Sequence, residues 1–381
     1  MRIAYCLPEI SHPGGIGRIT TQKANYLSSL GHIIYIITTD QNHLPAYFNL
    51  SPNVHHIDLE INFRDKKQTF LNKVISKYRK QKIYKKKLSK LLHKLKLDFV
   101  ISTFTNEATF LYQINDGSKK ILESHFNRDV LLILNKEYNL SFPQKIYNIY
   151  KTYHNIFLTK RYDAFVVLTK EDAILWGHKT NMHIIPNMNT FENNKKSALS
   201  NKVIISVGRL DKQKSFDKAL LIWKEVQKKY PDWEYHIYGQ GEDKNILDKI
   251  IQENDLSKNT FIHNPEKNIQ KVYTNASILI MTSIFEGWGL VLTEAMNTGI
   301  PCVAYGCKCG PKDIIDNEIN GFCIPENDMK RFQTSLESLI ADENLRHKMG
   351  NAAYYKSQQY SCNNIMEQWI TLFNQLYNEN K

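Results

Sequence analysis

Val203-Ile204-Ile205-Ser206-Val207-Gly208-Arg209-Leu210-Asp211-Lys212-Gln213-Lys214-Ser215-Phe216 is the stretch that decides how this chain is read. Its opening residues are rich in Val and Ile without polar alternation, which suits a parallel strand covered on both faces. A glycine and a basic loop follow. Phe216–Tyr230 then repeats its apolar residues at helical spacing. Strand, loop and helix in this order are half of a βαβ unit. Arg209 and Lys214 fall just beyond the strand, where open parallel sheets bind ligands. Arg offers a planar fork of donors and Lys a compact charge, both suited to anionic oxygens. An ordinary basic loop is the plain alternative.

The same alternation extends outward in both directions. Arg2–Leu7, His32–Thr38, Phe99–Ser102, Lys120–Glu123 and Ala164–Leu168 read as strands, and Gly14–Leu30 as a loop and helix. Downstream, Tyr235–Tyr238 ends in the turn Gly239-Gln240-Gly241. Ile278–Thr282, Pro301–Tyr305 and Gly321–Pro325 are further strands, and Leu290–Asn297 a helix. A polar stretch, 193–202, interrupts the series. The expectation is an α/β protein of two Rossmann-like, doubly wound domains, 1–192 and 193–361. A last helix lies within 362–381, and the sequence leaves open whether it returns to the first domain. A length of 381 residues suits two cores. No internal repeat of solenoid period is present.

Composition narrows the function classes. With 42% hydrophobic and 11% aromatic residues the chain can pack cores, which excludes a disordered protein. The net charge of +12 is local: Lys66–Lys96 holds 13 Lys and Arg and no acidic residue, leaving the remainder close to neutral. Within it Leu71, Val74, Ile75, Tyr78, Tyr84, Leu88, Leu91, Leu92 and Leu95 follow helical steps. A basic amphipathic helix of this kind suits an anionic membrane surface; a surface helix packed on its own domain is the alternative. No base-stacking or groove-reading motif accompanies it, so nucleic acid is not expected as a partner. The first residues read as a strand rather than a signal peptide, and no apolar run is long enough to span a bilayer. Six dispersed cysteines suit reduced thiols. Cys302, Cys307 and Cys309 cluster but lack the paired spacing of common zinc sites. The expected place is the cytoplasm, peripheral to the inner face of the cell membrane.

A second loop carries chemistry. Ser283-Ile284-Phe285-Glu286-Gly287-Trp288-Gly289-Leu290-Val291-Leu292-Thr293-Glu294 also follows a strand. Gly287 and Gly289 allow close backbone approach. The helix opening near Leu290 points free amides of Leu290 and Val291 outward, a ready site for phosphate. Glu294 lies one turn after Leu290 on the same helical face. Capping and surface exposure are the plain readings of the two glutamates.

Together the Gly208-Arg209…Lys214 loop and the Glu286-x7-Glu294 motif resemble the family 4 glycosyltransferases. Tyr238-Gly239-Gln240-Gly241-Glu242 and Gly310-Pro311-Lys312-Asp313-Ile314-Ile315 extend the likeness over about 201–330. The resemblance implies a GT-B fold, two domains facing a cleft, with the nucleotide sugar held by the second. Arg209 and Lys214 would hold the diphosphate, aided by Gly287, Trp288, Gly289, Leu290 and Val291. Glu294 would hold the ribose, Glu286 the transferred sugar, and Gly239 with the Asn264-Pro265 turn would lie along the donor near its base. In the first domain Pro13-Gly14-Gly15-Ile16-Gly17-Arg18 resembles the family's glycine-rich donor loop. Glu123-Ser124-His125 resembles its strand-end histidine, so His125, Glu286, Arg209 and Lys214 form the implied catalytic set. A core histidine is the alternative for His125.

Family members retain anomeric configuration, and the leaving phosphate accepts the acceptor's proton. Fixed cations do the charge stabilisation, so no metal or other cofactor is expected; no Asp-x-Asp pair stands ready for one. The detailed pattern is similar to bacterial transferases of capsule, O-antigen and protein-linked glycan assembly. It implies a UDP-linked hexose or N-acetylhexosamine donor and a polyprenyl-diphosphate-linked or oligosaccharide acceptor. A sugar-nucleotide epimerase of the same fold and a non-catalytic glycan-binding protein are the rivals.

Overall fold

The computed structural model describes residues 1–63, 70–177, 180–192 and 195–378, with side chains of the second stretch described from Ser76 onward. The chain divides into two compact units. The first comprises Met1–Leu168, Asp172–Ile185 and Met366–Lys381; the second comprises Thr169–Glu171 and Pro186–Ile365. The division thus falls at Pro186, ahead of the polar stretch singled out in the sequence. Residues 193 and 194 of that stretch lie outside the described residues.

The first unit holds strands β1 (Arg2–Cys6), β2 (Ile33–Thr38), β3 (Val54–Asp58), β4 (Phe99–Ser102), β5 (Lys119–Glu123), β6 (Ala164–Val167) and β7 (Met182–Ile184). They form one sheet in the order β3-β2-β1-β4-β5-β6-β7. Every pairing is parallel. Connecting them are α1 (Gly15–Ser29), α2 (Phe70–Leu95), α3 (Val130–Glu137), α4 (Phe142–Thr159) and α5 (Lys170–Trp176). The second unit holds β8 (Val203–Val207), β9 (Glu234–Tyr238), β10 (Thr260–His263), β11 (Ile278–Met281), β12 (Cys302–Tyr305) and β13 (Gly321–Ile324). Their order is β10-β9-β8-β11-β12-β13, again all parallel. Its helices are α6 (Phe216–Gln227), α7 (Lys244–Glu253), α8 (Ile269–Thr274), α9 (Leu290–Asn297), α10 (Pro311–Ile314), α11 (Met329–Ala341) and α12 (Glu343–Ser357). The last helix, α13 (Cys362–Asn378), belongs from Met366 onward to the first unit.

Both sheets share one topology. The first strand lies in the middle, the next two run to one side and the fourth starts the other side. This reversal opens a crevice at the carboxyl ends of the two central strands. It lies between β1 and β4 in the first sheet and between β8 and β11 in the second.

Burial explains why these segments fold as they do. The middle of β8 (Ile204, Ile205, Ser206) and all of β11 are buried, as strands covered by helices on both faces must be. On α6, Phe216, Leu220 and Trp223 recur at helical spacing and enter the second core. The Trp223 indole keeps its donor satisfied by giving its hydrogen to Thr260 Oγ1 at 2.9 Å. In the first unit α13 closes the core: Trp369 and Phe373 are buried, and Phe373 meets Phe99 of β4 at 4.9 Å.

One expectation changes here. The apolar residues Tyr84, Leu88 and Leu92 of α2 are fully buried in the first core. From Tyr84 onward the apolar face of the basic helix packs on its own domain and is closed to lipid, while Lys82, Lys85 and Lys86 face solvent. Residues 66–69 and the side chains of 70–75 fall outside the described set. No described helix is long and apolar enough to cross a membrane.

Candidate active site

Loops after β8, β11 and β12 converge on the second crevice through backbone bonds. Ile284 N–H donates to Gln213 O at 2.8 Å, and Glu286 N–H to Lys308 O at 3.1 Å. Thr282 Oγ1 donates to the carbonyls of Lys214 and Ser215, at 3.1 and 2.8 Å. The Gln213 side-chain amide donates to Phe285 O at 3.0 Å. Segments 67 to 72 residues apart in sequence, joined also to Lys308, are thereby fixed as one surface, and the side chains they carry are preorganised.

Lys214 and Glu286 meet directly. Lys214 Nζ donates to Glu286 Oε1 at 2.6 Å, and both side chains are largely withdrawn from water. The stem of Lys214 folds over Gly208, whose missing side chain leaves that space. Arg209 behaves differently. Its guanidinium is 69% exposed, steadied by Gln213 Oε1 at 2.9 Å and Asp211 Oδ2 at 3.0 Å. The site therefore presents one seated and one outward cation beside the same strand end.

Gly289 caps α9 with φ of 100°, a left-handed geometry that only glycine adopts without strain. The amides of Leu290 and Val291 open that helix, both half-buried. Glu294, one turn on, is buried rather than surface-exposed. Its Oε1 accepts from Thr190 Oγ1 at 2.5 Å and its Oε2 from Tyr273 O–H at 2.7 Å. Neither Thr190 nor Tyr273 was singled out in the sequence. Thr190 lies 104 residues away, and neither belongs to a motif, so no local pattern pointed to them.

Other expected donor residues divide by what the fold asks of them. A Cβ on Gly239 would lie 1.8 Å from the Gly208 carbonyl oxygen, so close packing of the β8 and β9 loops itself demands glycine there. The Trp288 ring is buried against Tyr360, 5.1 Å between centroids, and its carbonyl lies where a Cβ on Gly310 would fall, so the residue is packed inward as a whole. Gly287 is half-buried. Asn264 and Pro265 are exposed just past β10. Gly14 and Gly15 are exposed at the start of α1, and a Cβ on Gly14 would meet nothing within 4 Å. Packing therefore places no demand for glycine at position 14.

His125 follows β5 and is buried, its Nε2 3.3 Å from Glu123 Oε1. Glu123 also receives a hydrogen bond from the fully buried Lys23 of α1. Lys23 Nζ sits 4.1 Å over the Trp369 ring of α13. Burial alone would raise the Glu123 carboxyl, but Lys23 and then His125 outweigh it and hold it at about 2. Burial pushes the Lys23 ammonium below the usual lysine range against the pull of Glu123. No sequence motif points to Lys23.

All six cysteines are free thiols, with Cys302, Cys307 and Cys309 buried. Burial raises the Cys302 and Cys307 thiols well above their ordinary value. Among the described residues no group of three or more His, Cys, Asp or Glu side chains is arranged to hold a metal ion.

Residues 188–356 match the family model described as glycosyl transferases group 1. An uncharacterized glycosyltransferase of Haemophilus influenzae is 28% identical over 97% of this chain and 98% of its own length. The amylovoran biosynthesis glycosyltransferase AmsD of Erwinia amylovora is 36% identical over 45% of this chain, and this chain spans about half of it (48%). A TarM variant of S. aureus, solved with fondaparinux, alpha-GlcNAc-glycerol and UDP, superposes with a TM-score of 0.78 at 16% identity, covering 98% of this chain and 99% of that one. That likeness shows the fold, GT-B. The converging loops of the second crevice fall within residues 188–356, the segment that is similar to the group 1 glycosyl transferases.

Proposed function

We propose that this glycosyltransferase moves a hexose or N-acetylhexosamine from a UDP-linked donor to a glycan acceptor in bacterial surface polysaccharide assembly. The acceptor is carried on polyprenyl diphosphate. The observation that carries the reading is the arrangement at the second crevice. Lys214 is seated against Glu286 at 2.6 Å, Arg209 projects beside them, and α9 opens its amides from the adjoining loop. A diphosphate needs cations and free amides, and a sugar needs a fixed carboxylate for its hydroxyls; the loops supply both. The TarM complex with UDP and alpha-GlcNAc-glycerol supports a UDP donor and an α-configured product. The amylovoran enzyme supports a surface glycan.

In this reading Arg209, Lys214 and the amides of Leu290 and Val291 bind the diphosphate. Glu294, fixed by Thr190 and Tyr273, accepts from the ribose hydroxyls. Glu286 accepts from hydroxyls of the transferred sugar. Gly239 and the Asn264-Pro265 turn lie along the nucleoside. In the first domain, His125 and the Gly14-Gly15 backbone are assigned to substrate. The acceptor oxygen forms its bond to the anomeric carbon as the bond to the β-phosphate oxygen breaks, with retention. The electron pair stays on that oxygen, which takes the acceptor's proton. Cations built into the site stabilise the developing charge, so no metal is required.

The test is product analysis of UDP-sugars incubated with polyprenyl-diphosphate-linked acceptors, with and without EDTA. The expected result is glycosylated acceptor and UDP in equal amounts, unaffected by EDTA. An isomerised sugar nucleotide in place of UDP would point to an epimerase. Binding without turnover of any donor would point to a non-catalytic protein.

A further inference from the structure

The hairpin of α3 and α4 is short of cover. Val130–Leu134 is an unbroken apolar run in α3, yet that helix has no buried residue. On α4, Phe142, Ile146, Tyr150, Tyr153 and Phe157 follow one another at steps of three or four, one stripe along the helix. All are exposed, Phe142 to 75%, Tyr153 to 64% and Tyr150 to 62%. The other side of α4 is anchored through Thr152, Leu158 and Thr159, which are buried. Single exposed hydrophobic residues are ordinary, but a continuous stripe marks an interaction surface.

Charge narrows the occupant. Helix α4 contains no Asp or Glu; it carries Lys145 and Lys151, and Lys160 and Arg161 follow its end. Exposed Lys160 and Arg161 stand at the end of an apolar stripe that contains Tyr150 and Tyr153. Tyrosine joins an apolar body to a polar tip and favours the boundary between headgroups and acyl chains. A second copy of this face would set like charges against one another.

We infer that the α3–α4 hairpin docks this chain on an anionic lipid surface, the α4 stripe entering the headgroup boundary while Lys145, Lys160 and Arg161 lie beside lipid phosphates. The stripe, rather than the apolar face of α2, is the part that inserts. Docking is independent of which sugar is moved.

Co-sedimentation with phosphatidylglycerol–phosphatidylethanolamine vesicles tests this, with neutral phosphatidylcholine vesicles for comparison. The full chain is expected to bind the anionic vesicles preferentially and less tightly as salt rises. The triple variant Ile146→Ser, Tyr150→Ser, Tyr153→Ser should bind at least about tenfold more weakly. Its exposed positions should leave the melting temperature unchanged. Amide exchange over 142–157 should slow when anionic vesicles are added to the unaltered protein. Absence of vesicle binding, equal binding by the triple variant, or a variant that converts a dimer to monomers would each overturn the proposal. So would unchanged exchange over 142–157 in the vesicle-bound protein, with protection elsewhere. UDP affinity measured on the same samples tests the transferase reading separately.

Discussion

Lys214 and Glu286 neutralise each other at 2.6 Å, and that pairing limits what each does alone. A glutamate so engaged is a poor free nucleophile and a good fixed acceptor for sugar hydroxyls. Glu286→Ala should therefore lower turnover by about two orders of magnitude or more while UDP affinity changes only a few-fold. Steady-state kinetics beside calorimetry checks this, and full activity in the variant would remove Glu286 from the site. The buried Lys23–Glu123 pair gives a second prediction at this scale. Glu123→Gln strands a buried ammonium and should cost about 3–5 kcal/mol, whereas Lys23→Met with Glu123→Gln should cost less. The Glu123 carboxyl is depressed to about 2 from an ordinary 4.5, so its stabilisation is present above about 4.5 and fades as pH falls toward 2. Denaturation from pH 6 to 2.5 should show this acid loss in the unaltered protein and a shallower one in the double variant. Parallel profiles would contradict it.

At the scale of elements, the central strands were legible because their patterns are extreme. Phe99–Ser102 and Val203–Val207 were read with the boundaries they have, since strands covered on both faces must be apolar throughout. The strands that escaped the reading, Val54–Asp58, Met182–Ile184 and Thr260–His263, are all sheet edges. Val54–Asp58 exposes His55 and His56, so no apolar run announced it. The helical spacing of α2 was read, but periodicity does not say what an apolar face packs against. Its lipid assignment failed for Tyr84, Leu88 and Leu92, which belong to the core. Glycines also carry meaning at this scale. Gly239→Ala sets a methyl against the Gly208 carbonyl, where backbone must shift. It should lower stability by about 1–3 kcal/mol and weaken UDP binding through displacement of the 208–214 loop. An unchanged melting temperature and affinity would show that the two loops are not coupled.

For the whole molecule, the chain's last helix completes the fold of its first unit. Trp369 and Phe373 of α13 are fully buried, one beneath Lys23 and the other against Phe99. Deleting residues 362–381 exposes that core and should cost more than about 5 kcal/mol, since each large buried aromatic is worth several. Thermal unfolding of the truncated chain checks this; a melting temperature within a few degrees of the full chain would contradict it. Two nucleotide-fold units and the loops of the second crevice were legible in the sequence because each motif lies within one loop. Thr190, Tyr273 and Lys23 were not, since folding brings them to Glu294 and Glu123 from distant segments. The proposed activity depends on the second crevice holding a nucleoside diphosphate through Arg209, whose guanidinium stands exposed beside the Lys214–Glu286 pair. Calorimetric titration of UDP into the full chain and into Arg209→Ala is the most direct measurement. Binding by the unaltered protein and at least about tenfold weaker binding by the variant is the predicted result; equal affinity, or no binding by either, would contradict it.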